Sequence, residues 1–243
     1  MLNWNDIQSE RIRLKKSNLY ITLSNKYKKS NIYVWNFWYI VVPTDKNKKV
    51  IKFYSKKSYF EREFSNYDLL VKNSITVPKR HDSWKIILDN HTLYYLELDN
   101  IRKNKPRANN IKDLNWKKIG LLLSDLHSIS FDNYKAYIHS NLDKSNFFIS
   151  SNWILWIYDL VSMSKLDIEY EFAILYLNSW YDDDFINLVL GNYIFKSWFD
   201  IKKMYKYTIL KIAENIKYSV SINYKEKQKF KIDLFKIKDK LKE

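Results

Sequence analysis

Through roughly the first hundred positions the apolar residues fall in short runs rich in β-branched and aromatic side chains. After that they recur at helical intervals. Residues 21–23, 32–42 and 50–54 predict strands, with a polar turn over 43–48 between the last two. Phe60, Phe64, Tyr67 and Val71 recur every three or four residues and predict a helix over 59–71. A turn over 74–78 follows. Two more strands are expected over 84–88 and 92–98, with His81 in a loop before them and His91 in the turn between them. Residues 99–110 are basic and Asn-rich, contain Pro106 and have no apolar period, as in a linker.

The second part of the chain changes period. Ile111, Asn115, Ile119, Leu122 and Leu126 mark one stripe of an amphipathic helix over 111–129. Two short β-prone segments follow, at 147–149 and 154–158. A helix opens near Glu169, and Trp198, Ile201, Tyr205, Ile209, Ile212, Ile216 and Val220 trace another. The tail over 225–243 sets Phe230, Leu234, Ile237 and Leu241 on one side. It carries eight lysines against four acids, so it reads as a helix docked on the rest of the chain, with a membrane-surface helix as the alternative. Asp182, Asp183 and Asp184 are consecutive and do not share a helix face. They predict a solvated helix start favoured by the dipole rather than a cation site.

Candidate chemistry is concentrated between 138 and 159. His139, Asn141 and Asn146 lie in a polar loop, and Asp159 follows the apolar run 153–158, thirteen residues beyond Asn146. Kinases place a loop H-x-D-x-x-x-x-N before a strand that ends in a separate metal-binding Asp. The spacing matches at every position, but Asn141 stands where the catalytic Asp belongs. Upstream, Lys52 lies in an otherwise apolar strand, where an unpaired buried charge would be costly. A glutamate on the next helix, Glu63 or Glu61, is the candidate partner.

These motifs resemble the aminoglycoside phosphotransferase and choline kinase branch of the protein-kinase-like fold, which includes sugar and lipopolysaccharide core kinases. There the loop reads H-G-D-x-x-x-x-N and is followed by an apolar strand and I-D. Gly120 to His127 likewise resembles the G-x-x-L-x-x-L-H helix that precedes the loop. The resemblance implies a two-lobe α+β domain, with a β-rich N-lobe over 1–98 and a mainly helical C-lobe over 99–243. It implies ATP and Mg2+ as cofactors and a small-molecule or sugar hydroxyl as acceptor. Lys52 would hold phosphates and Glu63 would orient it. The segment around Glu97 would lie against the adenine, Asn146 and Asp159 would ligate magnesium, and His139 would brace the loop. Asn141 would occupy the base position, with Asp143 the nearest carboxylate able to replace it. Lys52→Ala is expected to weaken ATP binding while leaving the fold intact. Residues 24–31 take the place of the phosphate-covering loop without a single glycine. With Asn141, that departure keeps open a pseudokinase, a nucleotide-binding scaffold with degraded catalysis.

Composition narrows the remaining classes. The 243 residues are 46% hydrophobic and contain no apolar run of bilayer length, which indicates a globular chain. No secretory segment opens the chain and cysteine is absent, so a cytoplasmic location is expected. The net charge of +15 would suit an anionic membrane surface. Nucleic acid is disfavoured because no helix-turn-helix or zinc-finger pattern accompanies the charge. The richness in Lys, Asn and Ile and the scarcity of Gly and Pro also fit compositional drift of a solvated surface.

Overall fold

The computed structural model describes residues 20, 21, 23, 32–35, 39–44, 48–54, 56–88, 91–100, 114–142, 146–149, 155–218 and 224–242. It divides into two compact units, Met1–Leu69 with Val77–Lys105 and Leu70–Thr76 with Pro106–Glu243. The proposed phosphate-covering loop, Asp143 and the linker residues 101–110 lie outside the described residues.

The first unit contains a five-stranded antiparallel sheet. Its strands are β1 (Tyr33–Trp35), β2 (Tyr39–Thr44), β3 (Lys49–Tyr54), β4 (Arg80–Leu88) and β5 (His91–Asp99), in the order β1-β2-β3-β5-β4. Alternate residues of a strand face opposite sides, so β3 sorts itself. Phe53 joins Ile40, Val42, Leu23 and Leu93 in one buried cluster, whereas Lys52 and its neighbours Val50 and Tyr54 point to the other face. Helix α1 (Lys57–Lys72) follows β3, and buries Glu63, Asn66, Tyr67 and Leu70.

Several expectations in this unit need correction. The run 32–42 is two strands, paired antiparallel through Tyr33↔Val41 and Trp35↔Tyr39. Pro43 and Thr44 extend β2 rather than forming a turn; Pro43 lies past the last residue that β1 pairs, where a missing N–H costs no ladder bond to β1. Tyr20, Ile21 and Leu23 are helical, and the burial of Leu23 overrides the β preference of Ile21. His81 and His91 are strand residues, and His81 Nε2 lies 2.6 Å from Asp99 Oδ1. The helix expected over 59–71 is present as α1; of the apolar positions that marked it, Tyr67 is buried and Phe60 and Phe64 are half-buried. Val71 is exposed, because the helix turns a carboxylate and an amide inward to meet polar partners.

The second unit is mainly helical. It comprises α2 (Trp116–Ser128), α3 (Ile168–Asn178), α4 (Asp183–Leu190), α5 (Ile201–Tyr218) and α6 (Tyr224–Lys240). Two small antiparallel ribbons accompany them. One pairs β6 (Lys135–Ile138) with β9 (Ser164–Asp167), and the other pairs β7 (Phe147–Ile149) with β8 (Leu155–Ile157). Helix α2 starts later than expected, because the Asn115 side chain accepts from Lys118 N and acts as its N-cap. Trp198 lies in a separate 3-10 turn and is exposed, so the α5 stripe begins with Met204 and Tyr205. Helix α6 packs on α5. Its Lys240 pairs with Asp183, which also accepts from Tyr176 and Tyr205. Burial, the largest single influence, would push the Asp183 carboxyl up; together these hydrogen bonds hold it below the ordinary carboxylate value. Asp183 is therefore a clasp for the last helix rather than a merely solvated helix start. Among the described residues no helix is long and apolar enough to cross a membrane.

Gly120 sits where α2 approaches α4. A Cβ there would lie 2.5 Å from Val189 O and 2.9 Å from Asn192 Cβ. In an exposed helix, replacing Gly by Ala is stabilising by roughly 0.5–1 kcal/mol. Here the overpacking, about 1–3 kcal/mol, outweighs that gain. Gly120→Ala should lower the urea midpoint of unfolding; a raised midpoint would show that the two helices can separate freely.

Candidate functional site

In the first unit the structure brings Lys52 and Glu63 together. Both are buried, at 0% and 1% exposure, and Lys52 Nζ lies 2.5 Å from Glu63 Oε1. The other carboxylate oxygen accepts from Tyr54 OH at 2.7 Å. Glu61, the alternative partner, is exposed and pairs with Lys57. Removing one member of a buried ion pair typically costs about 3–5 kcal/mol, because the other charge is left uncompensated. Lys52→Ala is therefore a stability mutation as well as a probe of binding, contrary to the expectation of an intact fold. Glu97 is not brought to this pair. It lies opposite Ile51, so its side chain is on the other face of the sheet from Lys52, and it pairs with Lys49 at 3.4 Å.

In the second unit the loop residues are held by a dense set of buried hydrogen bonds. His139 is fully buried and its Nε2 lies 2.7 Å from Tyr158 O. A carbonyl only accepts, so Nε2 carries the proton and the ring ties the loop to the residue before Asp159. Asn146 Nδ2 donates to Asn141 O at 2.8 Å, and Asn146 O accepts from Tyr158 N at 3.0 Å. Both bonds set Asn146 beside the end of the β7–β8 ribbon. The orientation of the amide follows: its nitrogen faces a carbonyl, so Oδ1 faces the other way. That Oδ1 is buried and accepts no hydrogen bond among the described residues. Asp159 is 2% exposed and has a left-handed backbone, with φ of 66°. An amide oxygen and a carboxylate are hard donors of the kind Mg2+ prefers, and that ion needs only one or two protein ligands beside substrate phosphates. The residues present thus fit the cation. No cluster of three or more His, Cys, Asp or Glu suited to a metal occurs among the described residues.

Ser140 occupies the glycine position of the H-G-D pattern and has φ of 63°, a region in which a side chain costs roughly 1–2 kcal/mol. Glu171 holds it there. Its carboxylate accepts from Ser140 N at 3.0 Å and from His139 N at 2.7 Å. Glu171 is fully buried and also faces His127 Nε2 at 3.5 Å, while His127 Nδ1 lies 2.6 Å from Tyr193 OH. His127 is thus a buried packing residue near the end of its helix. Asn178 Nδ2 donates to Leu142 O, and Ser162 Oγ donates to His139 O. Sequence reasoning missed Glu171, Asn178 and Ser162 in this role. A signal for Glu171 existed: α3 is apolar almost all round, and a carboxylate inside such a helix needs buried donors. Asn141 is half-buried, and its backbone carbonyl is one of the loop's internal acceptors.

Glu171→Gln keeps one acceptor and turns an amide donor toward a backbone N–H. It should cost about 2 kcal/mol in urea unfolding and speed amide exchange at His139 and Ser140 by roughly tenfold or more. Unchanged stability together with unchanged exchange would show that the carboxylate does not hold the loop.

No protein-family model matches the chain, and no curated protein matches it by sequence. Solved structures do match. Choline kinase LicA from Streptococcus pneumoniae aligns with a TM-score of 0.64 and 15% identity, over 91% of this chain and 99% of that one. A microcompartment-associated aminopropanol kinase aligns at 0.63 and 9% identity, over 88% and 93%. Spectinomycin phosphotransferase APH(9)-Ia, in complex with ADP and spectinomycin, aligns at 0.59 and 13% identity, over 77% and 80%. At such identities the likeness is one of fold, and the chain has the two-lobe protein-kinase-like fold in the form taken by choline kinase and aminoglycoside phosphotransferase structures.

Proposed function

We propose that this chain binds ATP with Mg2+ and transfers the γ-phosphoryl group slowly to the hydroxyl of a small molecule. The observation that carries the reading is the buried Lys52–Glu63 pair at 2.5 Å. A buried ion pair gains little stability over an apolar pair of similar volume, so its presence here supports a function that needs a fixed charge. Support comes from structures of the same fold that hold AMP or ADP, and whose names specify choline, spectinomycin or aminopropanol as acceptor.

In this reading Lys52, kept extended by Glu63, places its ammonium on nucleotide phosphates. Asn146 Oδ1 and the Asp159 carboxylate are the residues that would hold magnesium. When bound, that ion neutralises charge on the phosphates during transfer. His139 positions both ligands through Tyr158 O. Asn141 faces the acceptor hydroxyl. Its amide oxygen accepts a hydrogen bond and orients the nucleophile, but it takes no proton at neutral pH. Phosphoryl transfer runs through a loose transition state in which positioning and electrostatics dominate, so the reaction is slowed rather than abolished. Loss of general-base help costs about 10²–10⁴-fold.

Asn141 also favours a second reading, a nucleotide-binding domain in which transfer has lapsed. The two separate in one assay. ATP turnover, measured with and without small hydroxyl-bearing amines, should be slow in the wild type and rise about tenfold or more in Asn141→Asp. It should change little in Asp143→Asn. Nucleotide binding without turnover in any of the three favours the lapsed enzyme. Robust wild-type turnover abolished by Asp143→Asn would overturn the role given to Asn141.

A further inference from the structure

Helix α6 turns its apolar stripe inward. Ile237 is buried, and Phe230, Leu234 and Leu241 are half-buried. Two polar anchors hold the same side of the helix to the second unit: Lys240 pairs with Asp183, and Tyr181 donates to Asp233. Ile232 and Phe235 lie outside this stripe, one turn apart, and are 56% and 66% exposed. At about 3.6 residues per turn Phe235 stands almost opposite Ile237, so it points away from the unit. A single exposed apolar residue is ordinary on a protein surface, but two on one turn of a helix need a reason.

The charges around the pair supply one. Lys231 and Lys238 flank Phe235 on one side of the helix, and Ile232 and Lys236 on the other. All three lysines are exposed, and none has an ion pair among the described residues. Lys242, just beyond the helix, is also exposed and meets Asp239 at 2.7 Å. From 231 to 242 the exposed side chains thus comprise four lysines, one acid and two apolar residues. They extend over about 16 Å of helix. Apolar tips set among lysines match the interface of a bilayer that carries anionic lipid. There the apolar tips enter the boundary of the acyl chains, while the lysine stems lie on apolar surface and the ammonium groups meet headgroups. A nucleic-acid backbone would meet the same lysines but leave Ile232 nothing to bury against. The net charge of +15 draws the whole chain toward a surface of the same sign.

We infer that the outward face of α6 is a docking surface for an anionic phospholipid bilayer, with Ile232 and Phe235 as the inserted residues. The helix stays packed on α5 while it binds, because Asp233, Ile237 and Lys240, which fix it, are on the opposite side. The inference is independent of the phosphotransferase reading.

The test is sedimentation of the full chain with vesicles of phosphatidylcholine alone and with vesicles of equal parts phosphatidylcholine and phosphatidylserine. The chain should bind the anionic vesicles at least about tenfold more tightly, since each lysine near such a surface contributes roughly fivefold. Lys231→Gln, Lys236→Gln and Lys238→Gln combined should weaken that binding on the order of a hundredfold. Phe235→Ser should weaken it about fivefold or more. These positions are exposed, so the thermal midpoint should not move. The chain contains no cysteine, so Phe235→Cys carries an environment-sensitive dye at one place. Its emission should shift to the blue on anionic vesicles, while the same dye on Asp125→Cys, exposed on α2, should not respond. Equal binding to both kinds of vesicle, or full binding by the triple lysine variant, would overturn the surface. Emission from the dye at 235 that stays unmoved in the bound protein, or Phe235→Ser binding as tightly as wild type, would overturn the insertion. Duplex DNA bound more tightly than the anionic vesicles, with loss in the lysine variant and no change in Phe235→Ser, would assign the face to nucleic acid instead.

Discussion

The carboxylate of Glu171 is the constraint on which the second unit depends. It is a buried anion whose charge is met by two backbone amides, a histidine and no lysine or arginine among the described residues. Such a group is tolerated only if every donor stays in place. The loop must therefore keep Ser140 in a left-handed conformation that its side chain disfavours. With His139 and Ser140 fixed, the imidazole reaches Tyr158 O, and the position of Tyr158 fixes Asn146 through their backbone bond. Asn141, Asn146 and Asp159 are ordered by this sequence of dependences, which begins on a different helix. Gly120 extends it further, since the close approach of α2 and α4 sets the helix from which His127 meets both Glu171 and Tyr193.

The first unit handles buried charge in another way. The pleat of β3 divides its residues, giving Phe53 to an apolar cluster and Lys52 to the helix side. An apolar side chain at 52 would pack at least as well, because the desolvation of a buried ion pair rivals its Coulombic gain. What the pair supplies is a cation at a defined point, steadied by Tyr54 through the second oxygen of Glu63. Both units thus accept an energetic disadvantage at the residues that carry the proposed chemistry, and surround those residues with apolar packing.

The fold class was legible because periodicity changes from strand-like to helical along the chain, and because a lysine in an apolar strand demands a partner eleven residues on. Glu63 was separable from Glu61 only by the family pattern, since both lie on the polar side of the apolar stripe drawn through Phe60 and Phe64. The stripe marked the helix but not the whole of its buried face: Tyr67 is buried, Phe60 and Phe64 are half-buried, Val71 is exposed, and the helix also buries Glu63 and Asn66. Tertiary burial also defeated local preference at Leu23, and the period continued past its element at Trp198, which belongs to a separate 3-10 turn. The facing of the Glu97 side chain was not legible from its own strand. Its facing depends on register against β3, and register is set by partners that a single run of residues does not display. Glu171 lies in the first turn of the helix expected near Glu169, yet its donors are more than thirty residues away in the chain, beyond any local pattern.

The central claim is that Asn146 Oδ1 and Asp159, held by the Glu171 network, form the cation side of a nucleotide site. The most direct test is paramagnetic broadening by substoichiometric Mn2+ in the presence of ADP, read at the Asn146 side-chain amide and the Asp159 backbone amide. The account predicts that both signals broaden first in the wild type and remain sharp in Asp159→Asn. Broadening confined to other parts of the chain, or unchanged by Asp159→Asn, would contradict it.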